Sequence, residues 1–196
     1  YYPGFAPVTG VTGAARFHNA SIEADVSAAE LGGLKVSRAT FAMADYKAPV
    51  LQVTGKASGD LQKALAYVQA SPLGPVVGNV FMSLSGNGPA RYDVQLTLPA
   101  SSPEALAGLA VPAPRDYTVR AQLDGVNLTL PALRAPAQGV RGAFELHNYD
   151  IKVAGLRGTI LDGPFELSAT PGRPTREVEA ALDIVAQGRA GGQKLP

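Results

Sequence analysis

Apolar and polar residues alternate one by one through much of the chain, and that period of two constrains it to β structure. Arg91–Pro99 reads RYDVQLTLP, with Tyr92, Val94, Leu96 and Leu98 on one side and Asp93, Gln95 and Thr97 on the other. Tyr117, Val119, Ala121 and Leu123 alternate with Thr118, Arg120, Gln122 and Asp124, and Val126, Leu128 and Leu130 with Asn127 and Thr129. Val140, Gly142, Phe144 and Leu146 alternate with Arg141, Ala143, Glu145 and His147, and Val178, Ala180, Leu182 and Ile184 with Glu179 and Asp183. Successive side chains of a strand point to opposite faces. Each segment therefore reads as a half-buried antiparallel strand, dry on one face and wet on the other.

Short turn signals separate these runs: Asp124-Gly125, Leu156-Arg157-Gly158, Asp162-Gly163 and Gly172-Arg173-Pro174. Joints of two or three residues suit a meander of hairpins and are too short for βαβ crossovers. Within Leu34–Met43 the apolar parity switches, from Leu34 and Val36 to Phe41 and Met43, which predicts a bulge near Arg38-Ala39. One segment leaves the rhythm. Asp60–Ala70 reads DLQKALAYVQA, with Leu61, Leu65 and Val68 at helical spacing, Ser58 or Asp60 as N-cap and Ser71-Pro72 as the stop. Val76–Met82 fits either a further helical turn or a buried strand, and Ser102–Leu109 reads as a short helix. Residues 64–90 carry no charge over 27 positions, but Pro72, Pro75 and Pro89 would break a membrane-spanning helix.

One phrase is written twice. Residues 10–19 read GVTGAARFHN and residues 139–148 read GVRGAFELHN, matching at six of ten places and 129 residues apart. Ile22 and Ile151 follow, then the turns Leu31-Gly32-Gly33-Leu34 and Leu161-Asp162-Gly163-Pro164. A repeat of this kind marks one supersecondary unit stacked on its copy. The expected organisation is a first unit over 1–98 with the helix, a Pro-rich connector over 99–115, and a second unit over 116–196.

Composition narrows the function. The 196 residues carry 17 basic and 16 acidic side chains, net +1, which leaves no basic footprint for nucleic acid. Charged residues make up 17% against the usual ~25%, so apolar area is plentiful beside a thin charged surface. No cysteine is present, which excludes disulfides, zinc thiolates and thiol catalysis. It also agrees with an oxidising compartment such as the periplasm. The chain starts at Tyr1 and shows no charged-then-apolar leader. The expectation is an internal stretch of a longer protein.

Little in the sequence suggests catalysis. His18 and His147 are the only imidazoles, each one residue before an Asn, which reads as a strand end entering an Asn turn. A metal site would need partners from Glu23, Asp25, Glu145 and Asp150, and no His pair has ligand spacing. There is no G-x-S-x-G elbow and no phosphate loop, and the carboxylates are scattered singly. No enzyme, metal or cofactor is expected.

What remains is the apolar strand face. A sheet with one apolar face must cover it with a helix, a second sheet or a ligand. A helix over 60–70 is only about 16 Å long and covers part of it. The strand parities nominate Phe17, Val36, Val94, Leu96, Val119, Leu123, Leu128, Phe144, Phe165 and Leu182 as lining residues. The strands have two outcomes open to them: a mainly β, curved and twisted antiparallel sheet forming a groove of two tandem units with one principal helix, or a closed β-sandwich that binds nothing.

The order of certain blocks is informative. Leu31–Gly59 reads LxGLxVSRATFxxxDYKAPVLQVTGKASG, followed by Ser71–Leu73, Gly86–Ala90 (G-x-G-P-A), Leu123–Pro131 (LDGVNLTLP), GVRGAFELHN and Gly155–Ser168. Across nearly the whole chain this resembles the middle of the YhdP-type AsmA-like proteins of Gram-negative bacteria. The resemblance implies a long periplasmic protein anchored in the inner membrane by a segment outside these residues. It implies a repeating β-groove whose concave apolar face carries phospholipid acyl chains towards the outer membrane. Partners would then be phospholipid acyl chains and adjacent segments of the same long chain. The family offers no enzymatic residues to carry over.

Overall fold

The alternating segments pair with their neighbours in sequence, and joints of two residues after His18, Leu31, His147 and Ile160 return the chain directly alongside the strand it has just left. A computed structural model describes residues 6–45, 47, 50–71, 83–99, 116–129, 135–148, 150–171 and 182–188. The strands are β1 (Val8–His18), β2 (Ser21–Leu31), β3 (Leu34–Met43), β4 (Val50–Asp60), β5 (Ser85–Asn87), β6 (Pro89–Pro99), β7 (Asp116–Thr129), β8 (Ala137–His147), β9 (Asp150–Ile160), β10 (Gly163–Pro171) and β11 (Leu182–Gly188). The helix α1 (Leu61–Ala70) lies between β4 and β5 in the chain. Every pairing is antiparallel, in the order β1-β2-β3-β4-β6-β7-β8-β9-β10-β11, with β5 beside β7 just before β6 in the chain. The path ends at β1 and β11, so the described strands form one open sheet and not a sandwich. The sheet runs without interruption from β6 to β7 and on to β8.

Two equivalent hairpins show how the repeat acts. Asn19 and Asn148, at φ 50° and 52°, turn β1 into β2 and β8 into β9. The left-handed region they occupy is one that Asn tolerates. Gly32-Gly33 and Leu161-Asp162 then turn β2 into β3 and β9 into β10, with positive φ at both central residues as a tight two-residue hairpin requires. The predicted His-Asn strand ends and the Asp162-Gly163 joint are therefore real.

Two predicted joints are not turns. Asp124-Gly125 lies inside β7, where Gly125 (φ 76°) supplies the extra residue of a bulge between Asp124 and Val126. The segments on either side are one strand. Leu156-Arg157-Gly158 lies inside β9, and Gly158 is small because the Gln138 carbonyl would stand 2.8 Å from any Cβ there. In both places glycine serves the ladder and does not end it. The predicted bulge in β3 is present as a register shift between Val36 and Arg38. The candidate segments Val76–Met82 and Ser102–Leu109, the turn Gly172-Arg173-Pro174, Leu130, Val178 and Ala180 fall outside the described residues.

α1 forms where predicted. The Asp60 carboxylate accepts from Gln62 N at 2.8 Å and from Gly88 N at 3.0 Å, so it caps the helix and ties down the approach to β6. Leu61 is buried, and Ala64 and Leu65 pack behind it. The core sits beneath this helix: Leu34, Leu61, Tyr92, Leu123, Val126, Leu128, Val140 and Leu156 meet at one end of the sheet. Burying each such side chain contributes about 1.5–3 kcal/mol.

Two substitutions test this account. Asp60→Ala removes a cap and leaves two donors unpaired, and should cost about 1–2 kcal/mol in urea unfolding. Leu161 is 68% exposed and held at φ 48°. Leu161→Asn should therefore raise stability by about 0.5–1 kcal/mol, since the left-handed conformation costs most other residues roughly 1–2 kcal/mol.

Candidate functional site: the apolar face of the sheet

Register shows which side chains share a face, because residues paired across neighbouring strands project the same way. One row runs Ala29, Val36, Ala57, Tyr92, Ala121, Phe144, Val153, Ala169, Ile184. The next runs Val26, Ala39, Gly55, Val94, Val119, Leu146, Ile151, and the one beyond it Ala24, Phe41, Val53, Leu96, Tyr117. All three rows lie on one face. The opposite face carries Arg38, Lys56, Asp93, Arg120, Glu145 and Lys152 in one row.

The bulges preserve this separation. A register slip of one residue would throw every later side chain to the wrong face. The extra residue at each parity switch prevents that. In β3 it lies between Val36 and Arg38, in β7 it is Gly125, and in β9 it falls between the partners of Ala143 and Arg141, where Gly155 has φ 57°. Leu34 and Phe41 therefore share a face, as do Leu123 and Val126, and Val153 and Leu156.

Nine of the ten nominated residues occupy the apolar face, and Leu182 stands in register with Pro171. Their surroundings differ. Leu123, 2% exposed, and Leu128 belong to the core at the α1 end. Val94, Phe144 and Phe165 pack half-buried against that core. Val36, Leu96 and Val119 are half-buried, and Phe17 stands exposed at the β1 edge. The structure adds Phe41, Met43, Leu51 and Val53 to the same face. The signal for Leu51 and Val53 was weak because Val50-Leu51 breaks the alternation, and only pairing with Leu98 and Leu96 assigns their side.

The polar face is bound by cross-strand ion pairs: Lys56 Nζ–Asp93 Oδ1 at 3.1 Å, Arg120 Nε–Glu145 Oε2 at 2.5 Å, Arg141 Nε–Asp124 Oδ1 at 3.2 Å and Arg157 Nη2–Glu166 Oε1 at 3.0 Å. These pairs are exposed and each contributes little, about 0–1 kcal/mol. They do make this face the wet one. His147 Nδ1 meets Thr118 Oγ1 at 2.9 Å, and His18 Nε2 meets Asn19 Nδ2 at 3.0 Å. Six strand spacings separate β1 from β8, about 29 Å, so the two imidazoles never meet. Among the described residues no group of three His, Cys, Asp or Glu side chains is placed to hold a metal. An apolar hollow of about 280 Å³ between α1 and the Gly32 turn, lined by Ala66, Tyr67 and Ala70, is below the usual range of ligand cavities. The extended feature of the molecule is the face itself.

Tyr92 and Tyr117 bring phenol groups to that face, and Tyr92 is the one beside Asp60. Its hydroxyl is buried and has no hydrogen-bond partner among the described residues. Burial, and then the nearby negative charge of Asp60, push its pKa up to about 12. Its neutral form stabilises the fold fully below pH 10. As the pH rises from 10 towards 12, the unfolded chain ionises first and stability falls. Tyr92→Phe should leave stability at neutral pH within about 1 kcal/mol of the parent and make the alkaline loss shallower in pH-dependent urea melts.

An open antiparallel sheet with one apolar and one charged face, and with the short helix α1 packed on the apolar side among the described residues, defines a one-sided β-sheet protein of the groove type. The chain belongs to the YhdP family, whose model, described as YhdP protein, matches residues 1–196. No curated protein and no solved structure matches it.

Proposed function

We propose that the apolar face binds phospholipid acyl chains and that the chain is a lipid-conducting stretch of an intermembrane transport protein. The observation that carries this reading is the one-sidedness of the sheet. Ten strands at about 4.8 Å spacing make a face roughly 43 Å across. Among the described residues one helix of ten residues packs on it, and at one end only. The rows through Val94 and Val119 and through Val53 and Leu96 run across the strands beyond that helix, half-buried for the most part, with Ala39, Leu146 and Tyr117 buried among them. Acyl methylenes gain about 0.8 kcal/mol each on leaving water, so a chain of fourteen gains ~10 kcal/mol before ordering costs. Family membership supports the same reading. On this reading the function is one of binding and passage. The absence of cysteine agrees with work in the periplasm.

Leu96→Glu and Gln95→Glu put the same charge one residue apart, on opposite faces of β6. Native mass spectrometry of the purified chain after incubation with phosphatidylglycerol and phosphatidylethanolamine vesicles should show phospholipid adducts for the parent and for Gln95→Glu. Adducts should fall at least about tenfold for Leu96→Glu, since a buried unpaired charge costs several kcal/mol. Equal adduct levels in all three proteins, or none in the parent, would sink the reading.

A further inference from the structure

α1 is tied to the sheet at its first turn and rests on side-chain contacts further along. Leu61 N donates to Gly88 O at 2.8 Å, Gly88 N donates to the Asp60 carboxylate, and Leu61 is the buried residue of the helix. Beyond that turn Ala64 and Leu65 pack half-buried on the core, and Gln69 Nε2 donates to Leu84 O at 3.2 Å. The Tyr67 ring lies over Gly32, where an added Cβ would stand 2.9 Å from it. The hollow of about 280 Å³ lies between this half of the helix and the Gly32 turn, so close packing stops there. A helix of ten residues is marginal by itself in water, and its second half depends on such contacts to stay in place.

Below the helix Leu34, Leu123, Val126 and Leu128 form an apolar bed, and Tyr92 belongs to the same cluster. The Tyr92 hydroxyl is buried without a hydrogen-bond partner among the described residues. Only the covered state carries that penalty, because lifting the helix lets water reach the O–H. The bed is continuous with the rest of the face. Val94 follows Tyr92 on the same side of β6, and Val119 pairs with Val94.

Resting on the lipid reading above, we infer that this bed is a second acyl-chain site and that α1 is its displaceable cover, swinging on the turn anchored by Asp60 and Leu61. The structure shows the covered form. An acyl chain that takes the places of Ala64 and Leu65 binds the uncovered form alone, so uptake scales with the fraction uncovered. Tyr92 raises that fraction, since its unpaired O–H weakens the covered form and can donate to an acyl ester once the helix lifts. Tyr67 lowers it through its seat on Gly32. The two tyrosines therefore act in opposite directions.

The chain has no cysteine, so a single disulfide can be placed without competing thiols. A Cβ on Gly32 lies 3.3 Å from the Tyr67 Cβ, close to disulfide spacing. Oxidation of Gly32→Cys/Tyr67→Cys should hold α1 down. Phospholipid uptake from phosphatidylglycerol vesicles, read by native mass spectrometry, should then fall about threefold or more, and reductant should restore it. The reduced double variant is the control for the strain of a side chain at Gly32. Tyr67→Ala should raise uptake and speed amide exchange over residues 64–70, and Tyr92→Phe should lower uptake and slow that exchange, each about three- to fivefold. The two tyrosine variants stand without the disulfide, and effects of the same sign in both would overturn the inference. So would parent uptake that neither oxidation nor Tyr67→Ala alters, or exchange over 64–70 no faster in the parent than in β7 and β8; in these cases the lipid reading survives. No uptake by the parent would sink both.

Discussion

The separation of two faces by the pleat is the constraint on which the rest of this structure depends. Each backbone group of an internal strand is satisfied by its neighbours. The ladder can therefore extend through ten strands without a second layer, provided that apolar side chains keep to one side. Tyr92, Ala121 and Phe144 meet on one face because they are in register, and Asp93, Arg120 and Glu145 meet on the other for the same reason. The charged rows add little energy but hold water on their side, which leaves the apolar side as the only place for a core.

Bulges are what make the separation survive over so many strands. β3, β7 and β9 each change apolar parity part-way along, and each carries one extra residue at that point. Glycine serves there because Gly125 and Gly155 take positive φ that a larger residue would strain. The parity switch in Leu34–Met43 could be read from sequence, since both halves of the strand are strongly patterned. Asp124-Gly125 could not be told from a hairpin turn. The same dipeptide suits both, and only the ladder to β6 and β8 shows that the strand continues.

α1 gives the sheet direction. Asp60 ends β4, caps the helix and anchors Gly88, so the helix folds back on the end of the sheet where Leu61 enters the core. That end is closed by packing, and Leu123 and Leu128 serve stability there. The rows through Phe41, Val53 and Leu96 lie beyond the helix. On the proposed lipid-binding reading, one end of the face is packed and the remainder is left for acyl chains.

By itself the sequence determined the β class, the hairpins at Asn19 and Asn148, the capped helix α1 and the alternation of sides along each strand. These are local consequences of period two, of turn chemistry and of capping, each written within a few residues. Tertiary structure decided what no short window contains. It showed that the sheet stays open, that β7 is one strand and β9 continues through Gly158, and which nominated residues are packed beneath α1. It also showed that equivalent phrases meet unequal fates, Leu146 buried and Phe17 bare. Burial depends on which strands lie alongside, and pairing brings together residues that no short window holds, as Leu146 with Val119.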